Sequence, residues 1–235
     1  PACLSSCDLV VLSLPIPALL APESTLLEAI PESAVVTDVG SVKQPVLEVW
    51  RSLHPRFVAS HPMAGTASAG VEAGQTGLFR GRPWIATPEA GTDPTAVEVV
   101  RTLAHDLGSQ WHTASAEQHD QAVALISHMP VLVSAALLRT AGDERDPEIR
   151  QLAQSLASSG FADSTRIGGG NPDLGVAMAS SNSAAVLKAL AAYRWSLEQL
   201  EDAVLRNNWQ QLHRELQRTQ SLRPDYQQSS PAGAP

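Results

Sequence analysis

The sequence predicts an α/β half followed by an all-α half: part of a Rossmann-type, doubly wound and mostly parallel sheet, then a helical domain. Three observations lead there. Short apolar runs alternate with helical periods up to about residue 114. From Ser115 onward the apolar period is helical and no convincing strand follows. The apolar runs do not alternate with polar residues, which suits parallel strands covered on both faces.

The first run, Asp8 to Leu14, is bounded by Pro15 and Pro17 and reads as a buried strand. Residues 17–29 read as one helix, with Leu19, Leu20, Leu26 and Leu27 on its apolar side. Ala34 to Asp38 is a second strand, and Pro45 opens a helix reaching His54. Phe57 to Ser60 is a third strand and Trp84 to Thr87 a fourth. A helix from Pro94 to Leu107 has Asp93 as its N-cap and Gly108 as its stop, before a short strand from Gln110 to Thr113.

In the second half, Ser115 and Gln118 form a capping box for a helix that runs to about Leu138, kinked at Pro130. Asp146-Pro147 opens another helix, ended by Gly160. A long helix spans residues 183–206 and a shorter one 209–219, and residues 221–235 read as a disordered tail. The predicted domains are 1–114, 115–220 and that tail.

The 235 residues carry 24 acidic and 16 basic side chains, a net charge of -8, and 43% hydrophobic residues. A sizeable core is available, and no basic run exists to hold nucleic acid or an anionic membrane. Cys3 and Cys7 alone complete neither a tetrahedral metal site nor a disulfide scaffold. No run of about 20 uninterrupted apolar residues suggests a membrane span, and no secretory signal is visible. A cytoplasmic location is the expectation.

Ligands of open α/β sheets bind beyond the carboxyl ends of the strands. Those ends hold Ser13-Leu14-Pro15, Asp38-Val39-Gly40-Ser41-Val42-Lys43, and Ser60-His61-Pro62-Met63-Ala64-Gly65-Thr66. If the strands are neighbours, Pro15, Ser41 and His61 converge, and a histidine there suits a general base. Each residue also has a plainer reading: His61 bonding backbone before Pro62, Asp38 capping the next turn, Lys43 as a solvated charge. In the helical half, Arg166 stands in a loop of glycines and small polar residues, where a guanidinium can grip a carboxylate through two hydrogen bonds. His128 lies beside Pro130 and reads equally as a core histidine, while His119 and Asp120 are expected on the helix surface.

Other constellations fail. The Gly-x-Ser-x-Gly elbow is absent. His112, His119 and His128 lack the spacing of a helical zinc site, and Gly168-Gly169-Gly170 neither follows a strand nor precedes a lysine in phosphate-loop spacing.

Taken together, four segments resemble the prephenate and arogenate dehydrogenases. They are Asp38 to Lys43, His61 to Thr66, Asp120 through Pro130, and Ser158 through Ile167. The resemblance covers roughly residues 8–220 and is strongest to the arogenate enzymes of cyanobacteria. It implies a nicotinamide-binding domain followed by a helical dimerisation domain, with the active site between them. It further implies oxidation of a cyclohexadienol ring with loss of carbon dioxide, in tyrosine biosynthesis, by a homodimer acting on arogenate or prephenate. On that resemblance His61 and Ser41 are the catalytic pair at the ring hydroxyl. Arg166, His128, Thr66 and Gly65 contact substrate. Ser13, Leu14, Pro15, Asp38, Gly40 and Ser41 contact the cofactor, and no metal is required.

Two departures bear on these expectations. The Gly-x-Gly-x-x-Gly turn that seats a pyrophosphate is absent and is expected before residue 1, together with the residue that separates NADP from NAD. NADP, with NAD as the alternative, is therefore implied by the resemblance alone. Ala67 and Val131 stand where some prephenate-using members carry an acidic residue and a second histidine, which favours arogenate. The competing readings are another two-domain hydroxyacid dehydrogenase and a non-catalytic dimeric ligand-binding module.

Overall fold

The computed structural model describes residues 4–65, 70, 72 and 74–226 of the chain. Strands β1 (Leu9–Leu12), β2 (Val35–Asp38) and β3 (Phe57–Val58) form a parallel sheet in that order, with Leu12 opposite Asp38 and Val36 opposite Phe57. Strands β4 (Ser60–Pro62), β5 (Pro83–Ala86) and β6 (Gln110–Thr113) form a second sheet in which β4 and β5 are antiparallel and β5 and β6 parallel.

The predicted third strand is thus split at Ala59 between two sheets. The cause lies in Asp38. Its carboxylate accepts from the Ser60 amide at 3.1 Å, taking the hydrogen bond that a continued ladder with β2 would have used. The helix predicted over residues 17–29 is also two, α1 (Ile16–Leu20) and α2 (Ser24–Ala29). Pro22 has no amide to donate and drives Ala21 out of the helical region, to φ -136° and ψ 67°.

Helix α3 (Gln44–Trp50) packs under the first sheet. Trp50 is fully buried, donates its indole N–H to the Leu19 carbonyl at 2.8 Å and stacks on Phe57. Helix α4 (Pro94–Asp106) begins as expected at Asp93, whose carboxylate accepts from the Thr95 amide, and ends before Gly108, where φ is +76°.

The helical half opens with α5 (Ala116–Val123), capped by the reciprocal Ser115–Gln118 box. Pro130 does more than kink the helix. Because it cannot donate to the carbonyl four residues back, the ladder shifts by one residue into a π-helical segment, Ala124–His128, with Met129 N–H bonded to Ala124 O. Helix α6 (Met129–Gly142) continues beyond it. Then come α7 (Pro147–Leu156), α8 (Ser159–Thr165), α9 (Pro172–Ser181), α10 (Ser183–Leu205) and α11 (Trp209–Leu222), with a 3-10 turn over Arg223–Tyr226. Gly160 therefore sits in the first turn of α8 instead of ending a helix, and α9 follows a stretch read only as loop. The expected tail is helical through Tyr226, and beyond that it lies outside the described residues.

By length and composition, the stretch Ala116–Gly142 would also be long and apolar enough to cross a membrane. A mean over the segment tolerates the interruptions that a search for unbroken apolar runs does not. Its polar residues His119, Asp120, His128 and Ser134 are buried on partners within the protein, as in a helix packed against other protein elements. Much apolar side-chain surface in this half stays exposed, including Ile126 at 56%, Leu187 at 65% and Trp195 at 62%. An apolar cavity of about 640 Å³ opens between α6, α7 and α8, lined by Leu138, Leu156 and Phe161 among others.

Candidate active site

The parallel register aligns the ends of β1 and β2, and the chain leaves both at one rim. Val39 N–H still reaches Leu12 O at 3.4 Å, so Ser13-Leu14-Pro15 and Gly40-Ser41 leave side by side. Ser13, Leu14 and Pro15 are exposed along this rim. Gly40 is buried, and a Cβ there would come within 2.9 Å of both Asp38 Oδ2 and Leu19 Cδ1. Only glycine lets the loop turn this tightly over Asp38. The Ser41 hydroxyl is buried without a hydrogen-bond partner. An exposed strip of backbone and apolar side chain beside an unpartnered hydroxyl suits the nicotinamide end of a dinucleotide, whose flat ring and carboxamide need both surfaces.

Beneath the rim lies a charged core. Asp38 and Lys43 form an ion pair in which both side chains are completely buried. Asp38 also accepts from the Gly40 amide at 2.9 Å and the Ser60 amide at 3.1 Å, and Lys43 Nζ donates to Ser60 O at 2.7 Å. Two expectations are corrected here. Lys43 is not a solvated surface charge, and the Asp38 carboxylate is saturated internally, which leaves it no free oxygen for a cofactor. Its role as acceptor for the following turn is the one seen. Ser60 is held further by its hydroxyl, 3.0 Å from the Asp38 carbonyl and 3.0 Å from Trp84 Nε1. This buried network fixes the start of β4 and therefore the position of the next residue, His61.

His61 meets the helical half directly. Its Nδ1 lies 2.9 Å from Nε2 of His119 on α5, and the rings pack edge to face. His119 Nδ1 lies 2.7 Å from Asp120 Oδ1. The Asp120 carboxylate also accepts the Lys43 amide at 2.7 Å and the Gln44 amide at 2.9 Å, at the start of α3. His119 and Asp120 are buried at 1% and 4% exposure, not on the surface as expected. A signal for this existed: residues 119, 120, 123, 124 and 128 fall on one helical stripe, and all are buried.

His128 stands at the end of the π-helical segment. Its Nδ1 lies 3.2 Å from the side-chain amide of Asn182, which also donates to Asp120 O at 2.7 Å. Asn182 occupies the 99° bend between α9 and α10. Because its Nδ2 can only donate, His128 Nδ1 accepts and the neutral ring carries its proton on Nε2, a buried atom that makes no well-formed hydrogen bond and has the Ser41 backbone nearby. Burial lowers the His128 pKa, partly opposed by the Asp120 carboxylate. For His61, burial first and then the Lys43 charge hold the pKa well below the ordinary 6.5. Burial likewise lowers Lys43, against the pull of Asp38.

Arg166 follows α8, exposed and, among the described residues, with no hydrogen bond or ion pair. The loop carrying it is pinned to α6: Ser134 Oγ donates to Ser164 O at 2.9 Å and accepts from Gly168 N at 2.9 Å. Arg166 takes no part in the contacts that join His61, His119, Asp120 and His128. Gly65 is exposed with open space around its Cα, and Thr66 lies outside the described residues.

Comparison with known proteins agrees with this layout. Residues 2–113 match the family model for the nucleotide-binding domain of prephenate dehydrogenase, and residues 115–218 match that for its dimerization domain. Cyclohexadienyl dehydrogenase of Zymomonas mobilis is 31% identical over 200 residues, which cover 84% of this chain and 68% of that protein. Prephenate dehydrogenase of Bacillus subtilis is 36% identical over 141 residues, 59% of this chain but only 38% of that protein. Among solved structures, Synechocystis arogenate dehydrogenase superposes with a TM-score of 0.81 at 41% identity, covering 96% of this chain and 81% of that one. Prephenate dehydrogenase from Aquifex aeolicus, in complex with hydroxyphenyl propionate and NAD+, gives a TM-score of 0.86 at 31% identity, covering 93% and 76%. With both domain models matched in order and the helical half joined to the sheet rim by His61 and His119, this chain belongs to the prephenate dehydrogenase family.

Proposed function

We propose that the protein carrying this chain oxidatively decarboxylates arogenate, with prephenate as the alternative substrate, and transfers hydride to NADP or NAD. The observation that carries this reading is a half-buried histidine, His61, bonded through Nδ1 to His119 of the helical half and favoured in its neutral form by burial and the Lys43 charge, with the Ser41 hydroxyl buried without a partner on the loop that follows β2. A neutral imidazole can accept the ring hydroxyl proton, and orphaned buried polar atoms cost free energy unless a ligand satisfies them.

His61 takes the proton from the ring hydroxyl as hydride leaves the carbon bearing it. Ser41 bonds the same hydroxyl and orients it. Ser13, Leu14, Pro15, Gly40 and Ser41 would hold the nicotinamide, which would supply the hydride acceptor. As the carboxylate departs as carbon dioxide, the electrons of the broken bond enter the ring, which becomes aromatic, and the phenolate oxygen so formed takes the proton back from His61. Arg166 grips a substrate carboxylate, with Gly65 and His128 lining the remainder.

Arogenate is placed first because of the 41% identity to an arogenate dehydrogenase and because Ala67 and Val131 are apolar. NADP is placed ahead of NAD on the resemblance to the cyanobacterial arogenate enzymes alone, while the Aquifex aeolicus complex holds NAD+. A homodimer is proposed through the helical half, whose exposed apolar side chains suit burial against a second copy. The test is an assay of the full-length protein with arogenate and with prephenate, each with NADP and with NAD, together with light scattering for the oligomer. Turnover of arogenate is the expected result. No turnover of either acid would favour a ligand-binding module.

A further inference from the structure

Proton abstraction uses one nitrogen of His61 and leaves the other, with its partners, unexplained. Three residues stand in line: His61 Nδ1 to His119 Nε2 at 2.9 Å, then His119 Nδ1 to Asp120 Oδ1 at 2.7 Å. The line ends on a carboxylate that also accepts two backbone amides from the start of α3. His119 and Asp120 are almost completely buried, so water does not compete for these bonds.

The donor and acceptor roles along the line are set by its fixed end. A carboxylate that receives two amide protons acts as an acceptor, so His119 Nδ1 must carry a proton. A neutral His119 then has only a lone pair on Nε2. For a hydrogen bond to exist between the rings, His61 must donate from Nδ1. Neutral His61 therefore keeps no proton on Nε2, its remaining ring nitrogen.

We propose that His119 and Asp120 are positioning residues for His61: they hold it in the Nδ1–H tautomer, so that the nitrogen left for substrate is always the basic one. Resting on the reading of His61 as proton acceptor, this gives a task to two buried residues that do not touch substrate. It also stabilises the product of the transfer. When Nε2 takes a proton, the charge on His61 is met through Nδ1–H by His119 and, one hydrogen bond further, by Asp120. The path runs from α3 through α5 to β4, so the base is set only when the helical half docks on the sheet.

The tautomer can be read without turnover, from nitrogen-15 shifts and couplings of the His61 ring in the full-length protein, assigned with His61→Asn. We expect wild-type His61 to carry its proton on Nδ1. In His119→Phe the acceptor is gone, the proton should move to Nε2, and kcat should fall by about 10²-fold with little change in KM. His119→Gln keeps an acceptor oxygen but no titrating ring. It should retain the Nδ1–H tautomer and most of kcat, which a purely packing role for His119 would not require. A wild-type His61 protonated on Nε2 would overturn the proposal, as would a folded His119→Phe with normal kcat. If His119→Phe does not fold, the wild-type spectrum and the Gln variant still decide. Normal kcat in His61→Asn would instead sink the reading of His61 as base, a separate result from failure of the positioning pair.

Discussion

His61 Nδ1 and His119 Nε2 lie 2.9 Å apart, and this contact spans 58 residues of sequence and the boundary between the two halves of the chain. It ties the second sheet to the first helix of the helical domain. Whatever moves one half relative to the other therefore changes the environment of the candidate base.

Replacing His61 with asparagine removes the proton acceptor while retaining a polar side chain. In the full-length protein kcat is expected to fall by about 10²-fold or more, with modest change in KM. Steady-state kinetics with arogenate measure this, and a near-normal kcat would remove His61 from the mechanism.

The pH profile should carry the same imprint. Burial, followed by the Lys43 charge, favours the neutral form of His61, and so lowers its pKa. The Asp120 carboxylate faces the same cluster through His119. The acid limb of kcat/KM should accordingly lie below 6.5, because the active, unprotonated form persists to lower pH. For stability the sign is also set. The unfolded chain binds a proton at His61 near 6.5 and the folded one does not until lower pH, so stability falls as pH drops through 6.5 and levels off below the folded pKa. A kinetic limb at or above 6.5 would contradict this.

Arg166→Ala should act chiefly on substrate binding. Loss of a charge-assisted contact of about 1.5–3 kcal/mol corresponds to a rise in KM of about 10- to 10²-fold. Because the side chain is exposed and has no internal hydrogen bond or ion pair among the described residues, its melting temperature should stay close to that of the parent. An unchanged KM would leave Arg166 with no part in binding.

Lys43→Met leaves Asp38 charged and unpaired in a site with no solvent access. Breaking a buried pair on one side costs about 3–5 kcal/mol, measurable by denaturant unfolding. The double variant Asp38→Asn, Lys43→Met should be more stable than Lys43→Met alone, since no uncompensated charge remains. Equal stabilities of the single variant and the parent would mean the pair contributes nothing.

Gly168→Ala tests the anchoring of the Arg166 loop. A Cβ at this position would fall on the backbone of Ser134 and Ala135, and helix backbone cannot step aside as a flexible side-chain end can. A loss of about 1–3 kcal/mol is expected from the overpacking, accompanied by a raised KM as Arg166 shifts. A variant with parental melting temperature and KM would show that the loop adapts.

By itself the sequence determined what is decided within a turn or two of chain. The strand cores around Val10, Val36 and Trp84, the Asp93 cap and the Ser115–Gln118 box all rest on local periodicity and capping chemistry, and all are found. Ser41 and His61 are candidates from sequence because ligands of open α/β sheets gather at strand ends. Tertiary structure alone decided which polar groups are buried and against what. The switch of sheets at Ala59 depends on Asp38 reaching Ser60, and the burial of Lys43 on that same carboxylate. The turning of His119 and Asp120 inward depends on the amide groups of Lys43 and Gln44 and on His61. Apart from Asp38 and Lys43 themselves, these partners lie 22 to 77 residues apart. At that separation no residue pattern announces a meeting, and a buried charge is stable only when the fold has delivered its partner.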